Sequence, residues 1–225
     1  MSSASYEVLS CTTNDSSGIA ENNVSAFWQQ TWWNMLWPGK TRDSLIKAVE
    51  ARTPKNLITD RDIRRHQKVM DKASNKVVGY ARWILPDSHK DSWLAARIPE
   101  VTDSEREKFV ELHAAADWTP REDMDDLDDH VHELKAKYKN DRCLELDYLA
   151  THPDCQRKGV ASMLVSSGIR EAQKSGVDVF VPAMGRHALG LYLKHGFELL
   201  EQKSQSLKPY GVDEDYETFF LIKRH

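Results

Sequence analysis

The segment Gln156–Ala161 (Gln-Arg-Lys-Gly-Val-Ala) places basic and small residues between a predicted strand and a predicted helix. The first turn of a helix leaves several backbone N–H groups without intrahelical partners, and the helix dipole makes that end positive. Gly159 has no Cβ and Ala161 carries only a methyl group, so a pyrophosphate can approach these N–H groups closely. Arg157 and Lys158 would add positive charge at the rim. The segment predicts a pyrophosphate-binding loop, and the alternative is an ordinary helix start.

Two longer motifs around this loop favour the pyrophosphate interpretation. Residues 149–164 (Leu-Ala-Thr-His-Pro-Asp-Cys-Gln-Arg-Lys-Gly-Val-Ala-Ser-Met-Leu) resemble the acetyl-CoA-binding motif of the GNAT superfamily of N-acetyltransferases. Residues 188–197 (Ala-Leu-Gly-Leu-Tyr-Leu-Lys-His-Gly-Phe) resemble that family's A-x-x-L-Y-x-K-x-G-F motif. A helix and a strand fit between the two motifs. The resemblance is firm over roughly 143–222 and looser over 6–85.

The resemblance implies a fold of the α/β (α+β) class, the GNAT fold. This is a mixed, mostly antiparallel sheet of six to seven strands with helices on both faces. We expect one acetyltransferase domain over residues 1–225, because no repeat or low-complexity linker divides the chain. The charged stretch at about 86–142 has helical patterns and would be a helical insert between strands 3 and 4, where the family usually has a short turn.

The resemblance also implies acetyl-CoA as the acyl donor. Strand 4 would splay away from strand 5 so that pantetheine lies between them, and a backbone N–H near Leu149 or Thr151 would polarise the thioester carbonyl. Gly185 stands where the family frequently has Asn, which removes one expected hydrogen bond to pantetheine. The expected cofactor-binding residues are Leu149, Ala150, Thr151, Gln156, Arg157, Lys158, Gly159, Val160, Ala161 and Ser162.

Acetyl transfer to an amine requires a group that protonates the leaving thiolate. Tyr192 occupies the position of the family's general acid, four residues before Gly196, and its hydroxyl would point at the sulfur of CoA. The alternative is that Tyr192 packs on its helix face beside Ala188.

The transfer also requires removal of a proton from the attacking amine. Asp147 lies four positions before Thr151, where some family members carry a carboxylate that deprotonates the amine through water, and Glu145 is the second candidate. Both would otherwise be solvated or salt-bridged strand carboxylates. Strand alternation predicts one face with Glu145, Asp147, Leu149 and Thr151 and an opposite face with Leu144, Leu146 and Tyr148.

Hydrophobic periodicity and turn residues predict the remaining elements. The expected strands are 6–13, 64–72, 76–85, 143–151, 177–181, 197–201 and 217–222. The expected helices are 19 to about 35, one from Thr41 or Asp43 that ends before Thr53-Pro54, 103–116, 122–139, 159–175 closed by Gly176, and 186–195.

Composition limits the classes of partner. The chain has 225 residues and a net charge of −4, which argues against a general nucleic-acid binder. No apolar run approaches the roughly 20 residues that a bilayer crossing requires, and the first residues lack the pattern of a secretory signal. Three widely spaced cysteines indicate a reducing compartment, the cytosol or the nucleus. The sequence leaves a monomer and a homodimer open.

Three further features have competing interpretations. We expect about half of four tryptophans to pack in the core and the others to form a wall for the acceptor, with Trp33 or Trp37 exposed. The four are Trp28, Trp32, Trp33 and Trp37. The acidic run 117–133 is a solvated face or steers a cationic amine, and we expect no metal at His130 and His132 because an i, i+2 pair diverges on a helix. Cys155 has no suitable base, so direct transfer in a ternary complex is preferred over an acyl-enzyme.

The function predicted from these features is acetyl-CoA-dependent N-acetylation of a small-molecule amine. A protein or peptide acetyltransferase is the alternative within the same chemistry. A non-catalytic CoA-binding protein that keeps the fold is the alternative outside it.

Overall fold

A computed structural model describes residues 5–139 and 141–225, apart from the side chains at 125, 126, 128 and 130. The strands are β1 Tyr6–Ser10, β2 Arg64–Asp71, β3 Lys76–Ile84, β4 Cys143–Thr151, β5 Asp178–Met184, β6 Glu198–Ser206 and β7 Asp215–Lys223. The helices are α1 Ser16–Phe27, α2 Thr31–Asn34, α3 Arg42–Ile58, α4 Asp103–Ala115, α5 Asp129–Tyr138, α6 Val160–Ser175 and α7 Arg186–Lys194.

The seven strands form one sheet in the order β1-β2-β3-β4-β5-β7-β6. The β4–β5 pair is parallel, and every other neighbouring pair is antiparallel. The mixed, mostly antiparallel sheet predicted from the sequence is therefore confirmed.

Helices cover both faces of the sheet. On one face, α6 and α7 bury Trp83, Leu146, Phe219 and their neighbours in the largest hydrophobic cluster. On the other face, α1 and α3 cover Tyr80, and α5 packs on Phe180 and Phe220. No described helix combines the length and apolar character needed to cross a membrane.

The predicted end of the second helix before Thr53-Pro54 is wrong, since α3 continues through Pro54 to Ile58. Proline inside a helix costs about 3 kcal/mol because it removes a hydrogen bond and crowds the preceding turn. Leu57 and Ile58 are buried beyond the proline, and each buried aliphatic side chain returns about 1.5–3 kcal/mol. Burial therefore outweighs the local signal.

The helical insert lies between β3 and β4, as predicted. Its first part holds α4, and its second part holds a 3₁₀ segment, Glu122–Asp128, followed by α5. Met124 and Leu127 of the 3₁₀ segment pack with Leu207 and Tyr216 of the β6–β7 hairpin. The insert thus extends across the α1–α3 face of the sheet toward its far edge.

Candidate active site

The two parallel strands at the centre of the sheet separate along their length. Residues Cys143–Glu145 of β4 pair with Asp178–Phe180 of β5, and the ladder stops there although both strands continue. A cavity of about 310 Å³ lies in the opening, lined by Leu149, Val181, Pro182, Tyr192 and others. We call it the strand cleft.

A bulge in β4 changes which side chains share a face. Arg82 of β3 pairs with Tyr148, whereas the next residue, Trp83, pairs with Leu146, so Asp147 is an extra residue. An extra residue in one strand reverses the alternation beyond it.

The predicted face assignment is therefore wrong beyond the bulge. Leu149 lies on the α6 face with Leu144 and Leu146. Tyr148 lies on the opposite face, where its ring contacts Tyr80 at 5.7 Å and Phe27 at 5.5 Å between centroids.

The predicted pyrophosphate loop surrounds the N-terminus of α6. Gly159 is the N-cap residue with φ +87°, and no side chain of the described residues caps the helix. Gln156, Arg157, Lys158 and Gly159 are exposed. The first N–H groups of α6 therefore have no side-chain acceptor here, which suits an anionic ligand.

The other predicted cofactor-binding residues lie on either side of this loop. Val160 is buried, and its side chain approaches β3 where Gly79 lacks a Cβ. Ala161 and Ser162 are half-buried in the first turn of α6. Ala150 is buried near the end of β4, where Thr151 pairs with Gly79.

Gly185, at the start of α7, has φ +79° and ψ 157°. This region of backbone space is essentially restricted to glycine. The departure from the family's frequent Asn therefore accompanies a backbone conformation that Asn would strain.

Tyr192 lines the strand cleft from α7. Its ring is buried and contacts Phe197 edge-on at 5.4 Å between centroids. Burial raises the pKa of the Tyr192 hydroxyl, which keeps the phenol protonated. Within the described part of the chain the hydroxyl forms no hydrogen bond, so its proton is available to a ligand in the cleft.

Asp147 also lines the strand cleft and is held by two cations. Arg82 lies 2.5 Å from one carboxylate oxygen, and the Lys135 ammonium lies 3.6 Å from the other. Burial alone would raise the pKa of Asp147, but the charges of Arg82 and Lys135 outweigh it and lower that pKa. Asp147 is therefore an ionised carboxylate beside the cleft.

Glu145 is fully buried and does not line the strand cleft. Lys135 and Lys139 each place an ammonium nitrogen 2.6 Å from one of its oxygens. The insert thus supplies both counter-ions of Glu145 and one counter-ion of Asp147. Sequence reasoning missed these lysines because pairing across more than one element leaves no local signal.

A second, larger cavity lies on the α1–α3 face and has a volume of about 550 Å³. We call it the aromatic cavity. It shares Trp33 and Tyr148 with the strand cleft, so the two cavities adjoin at these rings. Its aromatic lining consists of Trp33, Trp37, Tyr80, Trp118 and Tyr148, and the insert contributes Trp118, Pro120, Arg121, Met124 and His132.

The tryptophan predictions have a mixed outcome. Trp37 is only 4% exposed, so its predicted exposure is wrong, yet it lines the aromatic cavity together with Trp33. Trp32 is half-buried between Phe27 and Tyr216 and lines the strand cleft. Trp28 is half-buried against Trp33. A side chain can be buried and still form a cavity wall, which the sequence pattern does not distinguish.

Two described acidic side chains of the run 117–133 form ion pairs, one with a residue far away in the sequence and one with a neighbour. Asp117 pairs with Lys40, and Asp123 pairs with Arg121 at 2.6 Å. The side chain of His130 lies outside the described residues, as do those at 125, 126 and 128. Among described residues no group of three or more potential metal ligands occurs.

The three cysteines are free thiols, and all are buried. Cys155 packs in the large cluster beneath α6. Its burial gives a substrate no direct access to the thiol.

Known proteins resemble this chain in sequence and in fold. The sequence model of the Acetyltransferase (GNAT) family matches residues 29–197. No curated protein sequence matches the chain significantly.

Solved structures share the fold at low sequence identity. A histone acetyltransferase HPA2-related protein from Corynebacterium glutamicum is 18% identical with a TM-score of 0.57, covering 98% of this chain and 96% of its own. The C-terminal condensation domain of Ebony, in complex with beta-alanyl-dopamine, is 14% identical with a TM-score of 0.61, covering 98% and 99%.

The PaiA N-acetyltransferase from Thermoplasma acidophilum, in complex with coenzyme A, is 13% identical with a TM-score of 0.52, covering 98% of this chain and 99% of its own. The family match spans most of the chain, and the separated strands and the uncapped α6 fit the donor that it implies. The chain belongs to the GNAT acetyltransferase family and is an acyltransferase.

Proposed function

We propose that this protein transfers the acetyl group of acetyl-CoA to the amine of a small molecule by direct attack in a ternary complex. The observation that carries the proposal is the junction of the two cavities at Trp33 and Tyr148. A thioester in the strand cleft and an amine in the aromatic cavity would meet there. No covalent acyl-enzyme is needed, which agrees with the burial of Cys155.

Backbone amides at the start of α6 would hold the pyrophosphate, with Arg157 and Lys158 at its rim. The backbone near Leu149 would face pantetheine, because none of the described strands pairs with β4 on that side beyond Glu145. Residues 1–225 would form one acetyltransferase domain, since a single sheet includes strands from Tyr6 to Lys223.

Tyr192 would act as the general acid. The amine nitrogen forms a bond to the thioester carbonyl carbon, the carbon–sulfur bond breaks, and the thiolate takes the phenolic proton of Tyr192. Burial raises the pKa of Tyr192 and so keeps its phenol protonated before the reaction. The same desolvation would make the departing thiolate a stronger base, which can then take the phenolic proton.

Asp147 would accept the amine proton through a water molecule. The nitrogen becomes more acidic as it bonds to carbon, so even a carboxylate with a lowered pKa can take its proton. Glu145 is the weaker candidate because both of its oxygens contact lysines and it lines neither cavity. We propose that Glu145 anchors the insert lysines beside Asp147.

The experiment that tests the assignment of Tyr192 is substitution by Phe. The hydroxyl has no bond among the described residues, so Tyr192→Phe should fold like the wild type. We expect turnover to fall about 10²–10⁴-fold while the dissociation constant of acetyl-CoA, measured by calorimetry, stays within twofold. Tyr210→Phe, on a side chain that lines neither cavity, is the matched control. Unchanged turnover in Tyr192→Phe would remove Tyr192 from the mechanism.

The alternatives differ in simple measurements. A peptide acceptor needs an extended groove, whereas the aromatic cavity is bounded by residues of α1, α3 and the insert, the last including Trp118, Pro120 and Met124. A non-catalytic CoA-binding protein would bind acetyl-CoA but release no CoA with any amine. Release of CoA across amines and short peptides therefore separates all three functions.

A further inference from the structure

The aromatic cavity has a continuous wall of indole rings. Trp33 and Trp37 stand 5.7 Å apart between centroids, and Trp37 and Trp118 stand 4.3 Å apart. The guanidinium of Arg52 lies 4.7 Å from the centroid of Trp118. Ring pairs at such distances attract through their quadrupoles, and a planar ligand ring can join the same arrangement. The wall therefore favours a flat aromatic group.

The charges around the cavity disfavour a second cation on the acceptor. Arg82 and Arg121 both line it, and none of the described lining residues has an acidic side chain. Each arginine already has a carboxylate partner, Asp147 and Asp123 respectively. A diamine or a lysine-rich peptide would bring a further positive charge without a counter-ion on the described wall. This finding argues against steering of a polycation by the acidic run.

Neutral polar groups complete the lining. Asn23, Thr53 and Asn56 lie at the α1 and α3 side of the cavity. Amide and hydroxyl groups bind uncharged substituents such as hydroxyl or ring N–H. A volume of about 550 Å³ is within the roughly 300–1,000 Å³ range of small-molecule sites and accommodates one or two rings.

We propose that the acceptor is a monoamine carrying an aromatic ring, bound with its ring against Trp37 and Trp118 and its amine directed to the junction at Trp33 and Tyr148. The proposal rests on the proposed acetyl transfer and names its substrate class. Trp118 belongs to the insert, so the insert determines the acceptor.

The test compares amines that differ in one property. 2-Phenylethylamine and 2-cyclohexylethylamine have similar size and charge but differ in aromaticity, while cadaverine adds a second cation. From the attraction between aromatic rings we expect kcat/KM about tenfold higher for phenylethylamine than for its saturated analogue. Cadaverine should be poorer still. Equal or higher kcat/KM for the saturated amine or for cadaverine would overturn the proposal.

A variant of Trp118 tests whether this side chain causes the preference for an aromatic amine. Trp118→Leu should raise the KM for phenylethylamine about tenfold, leave the KM for cyclohexylethylamine nearly unchanged, and keep kcat. Leu94→Ala, an exposed side chain elsewhere in the insert, is the control with no change. An unchanged KM for phenylethylamine in Trp118→Leu would overturn the assignment of the ring site.

Calorimetry of acetyl-CoA binding, done first, separates failure of the aromatic-acceptor proposal from failure of the proposed acetyl transfer. Failure to bind acetyl-CoA rejects the proposed function. Binding of acetyl-CoA with CoA release on cadaverine or a lysine peptide, but not on arylamines, rejects the aromatic acceptor alone. If acetyl-CoA binds and no amine releases CoA, calorimetry of phenylethylamine with the CoA complex decides, and absence of binding there also rejects the aromatic acceptor.

Discussion

Replacing Gly168 by alanine tests how α6 is seated on the sheet. Gly168 faces the indole of Trp83, and a Cβ there would lie under 3.0 Å from three atoms of that ring. Carbon atoms in contact normally stand about 3.5–4.0 Å apart, so the helix or the indole must move. Trp83 is 0% exposed and lies within the largest core cluster, so the ring has no free space to occupy.

The magnitude follows from two opposing effects. Overpacking a filled core costs about 1–3 kcal/mol, and we take the upper end because the indole is enclosed. Alanine recovers about 1 kcal/mol over glycine through helix propensity. Gly168→Ala should therefore lower the free energy of unfolding by about 2 kcal/mol, which is about 4–8 °C in Tm for a chain of this size.

Urea denaturation and thermal melting measure this effect. Gly190→Ala in α7 is the matched control, because no atom lies within 4 Å of its added Cβ. It should be neutral or gain up to about 1 kcal/mol. Displacement of α6 should also weaken acetyl-CoA binding in Gly168→Ala alone, because that helix begins at the proposed pyrophosphate loop. A Gly168→Ala protein as stable as the wild type would refute the packing of α6 on Trp83.

Three further predictions concern the charges and backbone of the site. Replacing Lys135 and Lys139 together by Met leaves Glu145 buried without a counter-ion, and the free energy of unfolding measured in urea should fall by about 3–5 kcal/mol. Adding Glu145→Gln should restore most of that loss. A triple variant no more stable than the double variant would contradict the pairing. The pKa of Asp147 is lowered in the folded state, so its contribution to stability is present above its unfolded pKa of about 3.9 and is lost as pH falls through the folded value. The free energy of unfolding should therefore fall less steeply below pH 5 in Asp147→Asn, and an equal slope would count against the ion pair. Gly185→Ala should lose about 1–3 kcal/mol through strain at φ +79°, and an unchanged melting temperature would show that the turn relaxes freely.

Much of the fold could be predicted from the sequence because its signals are local. The strand Cys143–Thr151 agrees with its predicted bounds, and α6 begins one residue later than predicted and ends where predicted. Gly176 follows α6 in the left-handed conformation, as a glycine after a helix predicts. Alternation, helical spacing and a terminating glycine each depend only on neighbours along the chain.

The course of α3 through Pro54 required the tertiary structure. Thr53-Pro54 is a local signal for a helix end, and packing of Leu57 and Ile58 outweighs it. The faces of β4 required it too, since the bulge at Asp147 arises from the register with β3. A bulge depends on the partner strand, and Tyr148 and Leu149 are adjacent apolar residues that could each face the core, so the sequence of β4 alone does not fix where the alternation reverses.

The candidate site also combines features that the sequence predicts with features that required the tertiary structure. The sequence by itself predicts the pyrophosphate loop and the acid candidate, because a glycine at a helix start and a tyrosine in a compact motif are signals carried by residues close along the chain. Only the tertiary structure decided that Lys135 lies between Asp147 and Glu145, and that Trp118 joins Trp33 and Trp37 in one cavity. Charge pairing and cavity walls depend on distances in space between residues far apart in sequence, and those distances exist only once the sheet and the insert have packed.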